Sequence, residues 1–193
     1  AATVGLVPEA TRAARVQEMK EISDFTALLG CDTVALHIGF VPEDRDSDSY
    51  RGLVDCTRDL LDHVAGNNQQ LNLETGQESA EHLLEFIGDV ERDNLFINFD
   101  PANMILYDVG DPVEALAALA PHIFQIHIKD AVRTEEPGTW GQEVPVGTGQ
   151  VDWDAFFRVL AEKEIDCDLM IERDQDQKNV QRKWRQGRFA LHV

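Results

Sequence analysis

Glu74, Asp100, His127 and Glu172 each close a short apolar run: Gln-Leu-Asn-Leu-Glu, Phe-Ile-Asn-Phe-Asp, Phe-Gln-Ile-His and Leu-Met-Ile-Glu. Three carboxylates and one imidazole make a hard, oxygen-rich donor set. Such a set suits Mn2+ best, with Mg2+ or Co2+ close behind and Zn2+ less favoured because no thiolate is on offer. A divalent ion that grips two oxygens of a hydroxy-carbonyl sugar polarises the carbonyl and acidifies the neighbouring C–H. A glutamate beside it can take that proton and return it elsewhere. Glu74 and Glu172 are therefore expected to be both metal ligands and the acid–base pair, in isomerase or epimerase chemistry that passes through an enediolate.

Residues so far apart in sequence converge only if their elements open onto one face, as the carboxyl ends of the strands do in a parallel α/β barrel. Helix and strand signals alternate along the whole chain, without a linker or a low-complexity segment. Strands are expected at 33–39, 70–74, 95–100, 123–128 and 168–172. Helices are expected at 8–29, 49–65, 78–90, 113–119 and from Asp152 to about residue 164, marked by entry prolines, Ser or Asp caps and closing glycines. Residues 132–149 read as a long loop, and 174–193 as a divergent polar tail with a weak helix signal.

Strand parity fixes the phase. Alternate residues give an apolar set of Val34, Leu36 and Ile38; Leu71 and Leu73; Leu95, Ile97 and Phe99; Phe124, Ile126 and Ile128; Leu169 and Ile171. The other set is mostly polar: His37; Asn72 and Glu74; Asn98 and Asp100; Gln125, His127 and Lys129; Glu172. Strands of an open sheet covered by helices on both faces would be apolar throughout. One polar face in every strand fits a barrel, with the apolar parity on the outer helices and the polar parity facing the lumen. A complete barrel takes about 250 residues, or about 31 per βα unit. The 193 residues here hold five strand signals, so the expectation is a single domain over 1–193 that forms a partial barrel lacking its first three strands. Such a sheet has open edges, hence an expected homo-oligomer. The first residues, Ala-Ala-Thr, carry no methionine, as in a processed chain or a piece of a longer one.

Composition narrows the partners. The chain is 43% hydrophobic and 27% charged, with a formal net charge of −19. That charge argues against nucleic acid and anionic membranes, which require a concentrated basic surface. No apolar run approaches the roughly 18 residues of a membrane span. Three cysteines, Cys31, Cys56 and Cys167, suit neither a disulfide framework nor a zinc knuckle, and point to a reducing, cytoplasmic setting. The expected ligand is a small molecule, a sugar or sugar phosphate.

Further residues stand near the four. His37 is an inward histidine, touching substrate or simply packed. Lys129 and Asp130 are expected to pair in support of His127. Arg133 is expected to reach substrate oxygens or to be a solvated loop charge, and Trp140 to stack on a sugar face or to anchor its loop.

Four stretches carry a resemblance. Asn98-Phe-Asp100-Pro-Ala-Asn103-Met-Ile-Leu, His127-Ile-Lys129-Asp130, Pro145-Val-Gly-Thr-Gly149-Gln-Val-Asp-Trp153 and Ile171-Glu172-Arg173 together resemble the xylose isomerase-like TIM barrel superfamily. That group includes sugar phosphate isomerases and epimerases, ketose 3-epimerases, hydroxypyruvate isomerases, inosose dehydratases and the distant endonuclease IV enzymes. The resemblance implies an α/β TIM barrel, here partial with about five parallel strands, and a metal held by Glu74, Asp100, His127 and Glu172. It implies a substrate contact from Arg133; Asn103, His37, Lys129 and Trp140 are further candidates for substrate contact on their own place in the chain. Asn103 stands where the ketose epimerases carry a histidine, and Ala80 stands where they carry a second glutamate, so the substrate does not transfer. Gln77 and Glu78 offer other polar contacts or a cap for the following helix. The alternatives are an inosose-type dehydratase, which begins from the same proton abstraction, and a truncated barrel that binds metal without turnover as an assembly module. An endonuclease IV activity would need more histidines and a basic face than six His and this net charge supply.

Overall fold

The β1 strand (Thr33–Leu36), β2 (Gln70–Glu74), β3 (Leu95–Phe99), β4 (Ile123–Ile128) and β7 (Asp168–Ile171) form one sheet in the order β1-β2-β3-β4-β7. Every neighbouring pair is parallel, which gives an open, five-stranded half-barrel. The structure is a computed structural model describing residues 5–76, 78–136 and 138–173. Gln77 and the expected tail 174–193 lie outside the described residues.

Helices α1 (Glu9–Leu28), α2 (Asp48–Gly66), α3 (Ala80–Val90), α5 (Pro112–Leu119) and α6 (Trp153–Glu162) connect or flank the strands. Their starts follow from caps. Ser47, Ser79, Asp111 and Asp152 each accept a backbone N–H from the first turn of the helix that follows, satisfying donors that have no partner within the helix. Ser79 is the cap of α3, so that helix begins two residues after the expected position. Strand β1 ends at Leu36 rather than 39, because its pairing with β2 ends at Leu36 and Leu73.

The core joins the apolar strand parity to the helices. Val34, Leu71, Leu73, Leu95, Ile97, Phe99 and Ile126 are buried in one cluster with helix residues such as Leu60, Leu61, Phe86, Leu116 and Phe156. Each such side chain removes apolar surface from water at about 25 cal/mol per Å2. The expected outward packing does not hold for Phe124, Leu169 and Ile171, which are exposed. Leu169 and Ile171 lie on β7, an edge strand among the described residues.

Two elements depart from the sequence reading. A six-residue helix, α4 (Pro101–Leu106), follows β3 directly. Within the expected loop 132–149, β6 (Gln142–Val144) pairs antiparallel with β5 (Asp130–Val132). Gly141 N–H donates to Leu106 O at 2.8 Å, which ties this hairpin to α4.

The hairpin is held from the far side by Asp130. Its Oδ1 accepts N–H bonds from Ala131 and Val151, and its Oδ2 accepts from Gly147, Gly149 and the Trp153 indole. The carboxylate is 1% exposed, a burial that five donors make tolerable. Gly149 is required for this closeness: a Cβ there would lie 2.0 Å from Asp130 Oδ1.

Candidate metal centre

Glu74 ends β2, Asp100 follows β3, His127 lies near the end of β4, and Glu172 follows β7. Parallel strands in register therefore deliver all four to the same end of the sheet. One ligand atom from each lies within 4.8 Å of the others.

His127 Nδ1 is the centre of the group. It lies 2.9 Å from Glu172 Oε2, 3.5 Å from Asp100 Oδ2 and 3.8 Å from Glu74 Oε1. Nδ1 is buried and makes no aligned hydrogen bond; neither does Asp100 Oδ2. Buried polar atoms are normally hydrogen-bonded, and these two lie 3.5 Å apart without an aligned bond inside an acidic group, an arrangement that suits a cation. The donor set, three carboxylates and an imidazole, is of the kind that binds hard to borderline divalent ions. These residues fit a divalent metal.

Asp100 divides its two oxygens. Oδ1 caps α4, accepting from Ala102 N–H at 2.9 Å and Asn103 N–H at 3.0 Å, while Oδ2 faces His127. The residue is 0% exposed, so the cap fixes the orientation in which the second oxygen is presented. Thr75 Oγ1 accepts the Asp100 N–H at 2.8 Å, which fastens the same strand end to β2.

Around the four stands a polar shell. Asn103 Nδ2 donates to Glu74 Oε1 at 2.8 Å and to Thr75 O at 3.2 Å. Lys129 Nζ donates to Glu172 Oε2 at 3.1 Å and to Asn103 Oδ1 at 3.3 Å, and lies 3.5 Å from Asp100 Oδ2. Lys129 thus serves the acidic group rather than the expected partner Asp130, whose oxygens go to the loop donors. Adjacent residues of an extended chain point to opposite sides, so the two could not both face the centre. Asn98 Nδ2 lies 2.9 Å from His127 Nε2.

These contacts shift the titrations. Burial pushes Glu74 up to about 7, and the charges of Asp100 and Glu172 add to the effect. Glu172 falls to about 2 through its contact with His127, against the cost of burial and with help from the Lys129 charge. Burial disfavours the His127 imidazolium, but Asp100 and Glu172 outweigh it and raise the ring to about 10. Without a cation, therefore, a proton on His127 offsets part of the acidic charge at neutral pH.

The remaining candidates lie farther out. Tyr107, the C-cap of α4, has His37, Phe40 and Trp140 packed edge-on around it at ring distances of 6.5, 5.9 and 5.3 Å. His37 and Trp140 therefore share an aromatic rim whose central member, Tyr107, the sequence reading passed over. Arg133 donates to Asp108 Oδ1 at 2.6 Å and to Gly110 O at 2.5 Å, so here its guanidinium braces the turn after α4. Glu78 is buried, with Oε2 unpartnered, and the cap it was a candidate for comes from Ser79.

The half-barrel with a Glu/Asp/His/Glu group at its strand ends defines a class, and comparison with known proteins agrees. The xylose isomerase-like TIM barrel family matches residues 3–190, and the chain belongs to it. A crystal structure of a xylose isomerase domain protein from Planctomyces limnophilus is similar with a TM-score of 0.86 and 53% identity, over 96% of this chain and 68% of that one. A structure of L-ribulose 3-epimerase superposes with a TM-score of 0.70 at 20% identity, over 98% of this chain and 66% of that one. That second likeness is one of fold. An inosose dehydratase of Clostridium botulinum is 28% identical over 116 residues, which are 53% of this chain and 38% of the enzyme. The chain spans between 25% and 38% of the curated relatives it matches. Among the described residues no helix is long and apolar enough to cross a membrane.

Proposed function

We propose that this chain carries the metal-dependent centre of a sugar isomerase or epimerase. Glu74 and Glu172 are the bases, and Mn2+ is the favoured ion. The observation that carries the reading is the convergence of these two glutamates, with Asp100 and His127, within 4.8 Å. A divalent cation held there would polarise a carbonyl oxygen of the substrate and acidify the adjacent C–H.

The residues themselves do the rest. Glu74, half-buried at the end of β2, is the carboxylate proposed to exchange the substrate proton as general acid or base. Glu172, ionised beside His127 and Lys129, is the second carboxylate of the proposed pair. Asn103 orients Glu74 by its 2.8 Å bond, and the rim of His37, Tyr107 and Trp140 offers faces for a sugar ring. Arg133 remains a proposed substrate contact only if it leaves Asp108. A cytoplasmic homo-oligomer accords with the free thiols of Cys31, Cys56 and Cys167 and with the exposed apolar residues Ile22, Phe25, Leu28 and Leu29 of α1 and its end.

A second reading, dehydration of the inosose type, is favoured by Lys129. An ammonium 3.1 Å from Glu172 can pass a proton to a departing hydroxyl, a step that epimerisation does not need. Both readings are tested by incubating a panel of ketoses and inososes with the Mn2+-loaded protein in D2O. Deuterium at the carbon next to the carbonyl, without loss of water, supports isomerase or epimerase chemistry. Loss of water supports the dehydratase. Metal binding with neither result, or turnover surviving in both Glu74→Gln and Glu172→Gln, removes the mechanism and leaves a metal-binding module.

A further inference from the structure

We propose that the cavity between residues 40–43 and the first turns of α3 is a separate binding site for an organic ammonium ion, with Glu78 as its anionic anchor. The proposal does not rest on the metal reading. The cavity encloses about 580 Å3, within the roughly 300–1,000 Å3 typical of small-molecule sites.

Its charge is one-sided. Glu43, Glu78, Glu81 and Glu85 line it, and no lysine or arginine does. Three of these carboxylates are exposed at the rim, and Glu85 has His82 and Arg45 within 4 Å. Glu78 differs. It is only 8% exposed, and its Oε2 is shut from water without a hydrogen-bond partner. A lone buried carboxyl is costly to keep charged, and burial alone pushes Glu78 up to about 8. What such a group lacks is a cation that also donates hydrogen bonds.

The walls select the kind of cation. A bare divalent ion needs several ligand atoms converging, and among the described residues Glu78 belongs to no such group. Anions are disfavoured by the rim carboxylates Glu43, Glu81 and Glu85. Phe40, Val41 and Val109 give the cavity an apolar side, and Phe40 is half exposed, so a carbon chain can lie there while its ammonium meets Glu78. An aromatic face beside a cation adds further attraction. The walls are joined by His82, whose Nε2 lies 3.1 Å from Pro42 O, so the cavity is built before any ligand arrives.

The test titrates the protein with butylammonium chloride and, separately, with butan-1-ol, its neutral counterpart, following chemical shifts of residues 40–43 and 78–85. Saturable binding of butylammonium is expected, about tenfold or more tighter than the alcohol, and lost by about tenfold or more in Glu78→Gln. A Mn2+ titration of the same variant is expected to be unchanged, which keeps this site separate from the metal centre. Absent saturation, equal binding of the alcohol, or unchanged affinity in Glu78→Gln would overturn the proposal. If Glu78→Gln does not fold, the rim variant Glu43→Gln/Glu81→Gln decides: severalfold weaker butylammonium binding supports the site, and unchanged binding overturns it.

Discussion

The Asn98 side-chain amide sits 2.9 Å from His127 Nε2, on the far side of the ring from the three carboxylates. An imidazole that gives Nδ1 to a cation must keep its proton on Nε2, and that proton needs an acceptor. Asn98 Oδ1 is buried without a partner, and half a turn of the amide brings it to Nε2. Asn98 is thus the residue expected to set the ring for a metal. Asn98→Leu is expected to weaken Mn2+ binding by about 10–100-fold in calorimetry, and Asn98→Asp to retain it. An unchanged affinity in the leucine variant would show that His127 is oriented by its other neighbours.

Metal binding must also displace protons. Below pH 7 both His127, raised to about 10, and Glu74, raised to about 7, hold a proton in the metal-free protein. Between pH 7 and 10 only His127 does. Mn2+ affinity is therefore expected to climb with pH, by about a hundredfold per unit below 7 and about tenfold per unit above it. Calorimetry in buffers of different ionisation enthalpy counts the released protons directly. A flat profile from pH 6 to 8 would contradict the arrangement.

The strand alternation in Asn72/Glu74, Asn98/Asp100 and His127/Lys129 places the metal-type residues on one face from the sequence alone. What escaped has particular causes. Asp100-Pro101 carries the same cap-and-proline signal as Asp111-Pro112, yet α4 has only six residues, and those from Pro101 to Ile105 are all buried, so it shows no amphipathic period. Asp100 has two oxygens, so one can cap α4 while the other faces the centre. Tyr107 and Phe40 stand singly in irregular segments, and only folding brings them together, with Tyr107 beside Trp140. Strand β6 has three residues, too few to stand out from a Gly/Pro-bearing loop.

Asp130 should matter more to stability than to chemistry. Its carboxylate accepts four backbone N–H bonds and the Trp153 indole, so truncation strands buried donors. Asp130→Ala is expected to cost about 3–5 kcal/mol in urea unfolding, since several charge-assisted bonds worth about 1.5–3 kcal/mol each are lost together and do not add. Gly149→Ala is expected to destabilise by the same route, because its methyl would displace Asp130 Oδ1. A loss under about 1 kcal/mol, the worth of one ordinary hydrogen bond, would mean that the loop 145–151 is held by something else.

Gly76 tests how closely the polar shell depends on the backbone. It has φ +138, and a Cβ there would lie 2.2 Å from the Cβ of Asn103. Gly76→Ala should therefore push Asn103 away from Glu74 without touching any metal-type residue. The expected result is Mn2+ binding weakened by about tenfold or more, the scale of lost outer-shell support, with far-ultraviolet circular dichroism unchanged. Unaltered affinity would show that Glu74 holds its position without Asn103.

Glu78 gives the protein a pH signature of its own. Its carboxyl titrates near 4.5 when exposed and at about 8 in the fold. Between those values the unfolded chain binds fewer protons than the folded one, so this group lowers stability as pH rises from 4.5 to 8 and adds nothing more above that. Glu78→Gln removes the effect. Wild type and variant should be closest in stability near pH 4.5 and diverge steadily, with the variant favoured by an amount on the order of a few kcal/mol at pH 8. Contributions from Glu74, His127 and Glu172 are common to both proteins and cancel in the difference. Paired urea titrations at pH 5, 6.5 and 8 measure it, and parallel curves would mean that Glu78 finds a charge partner that lowers its titration toward the ordinary range.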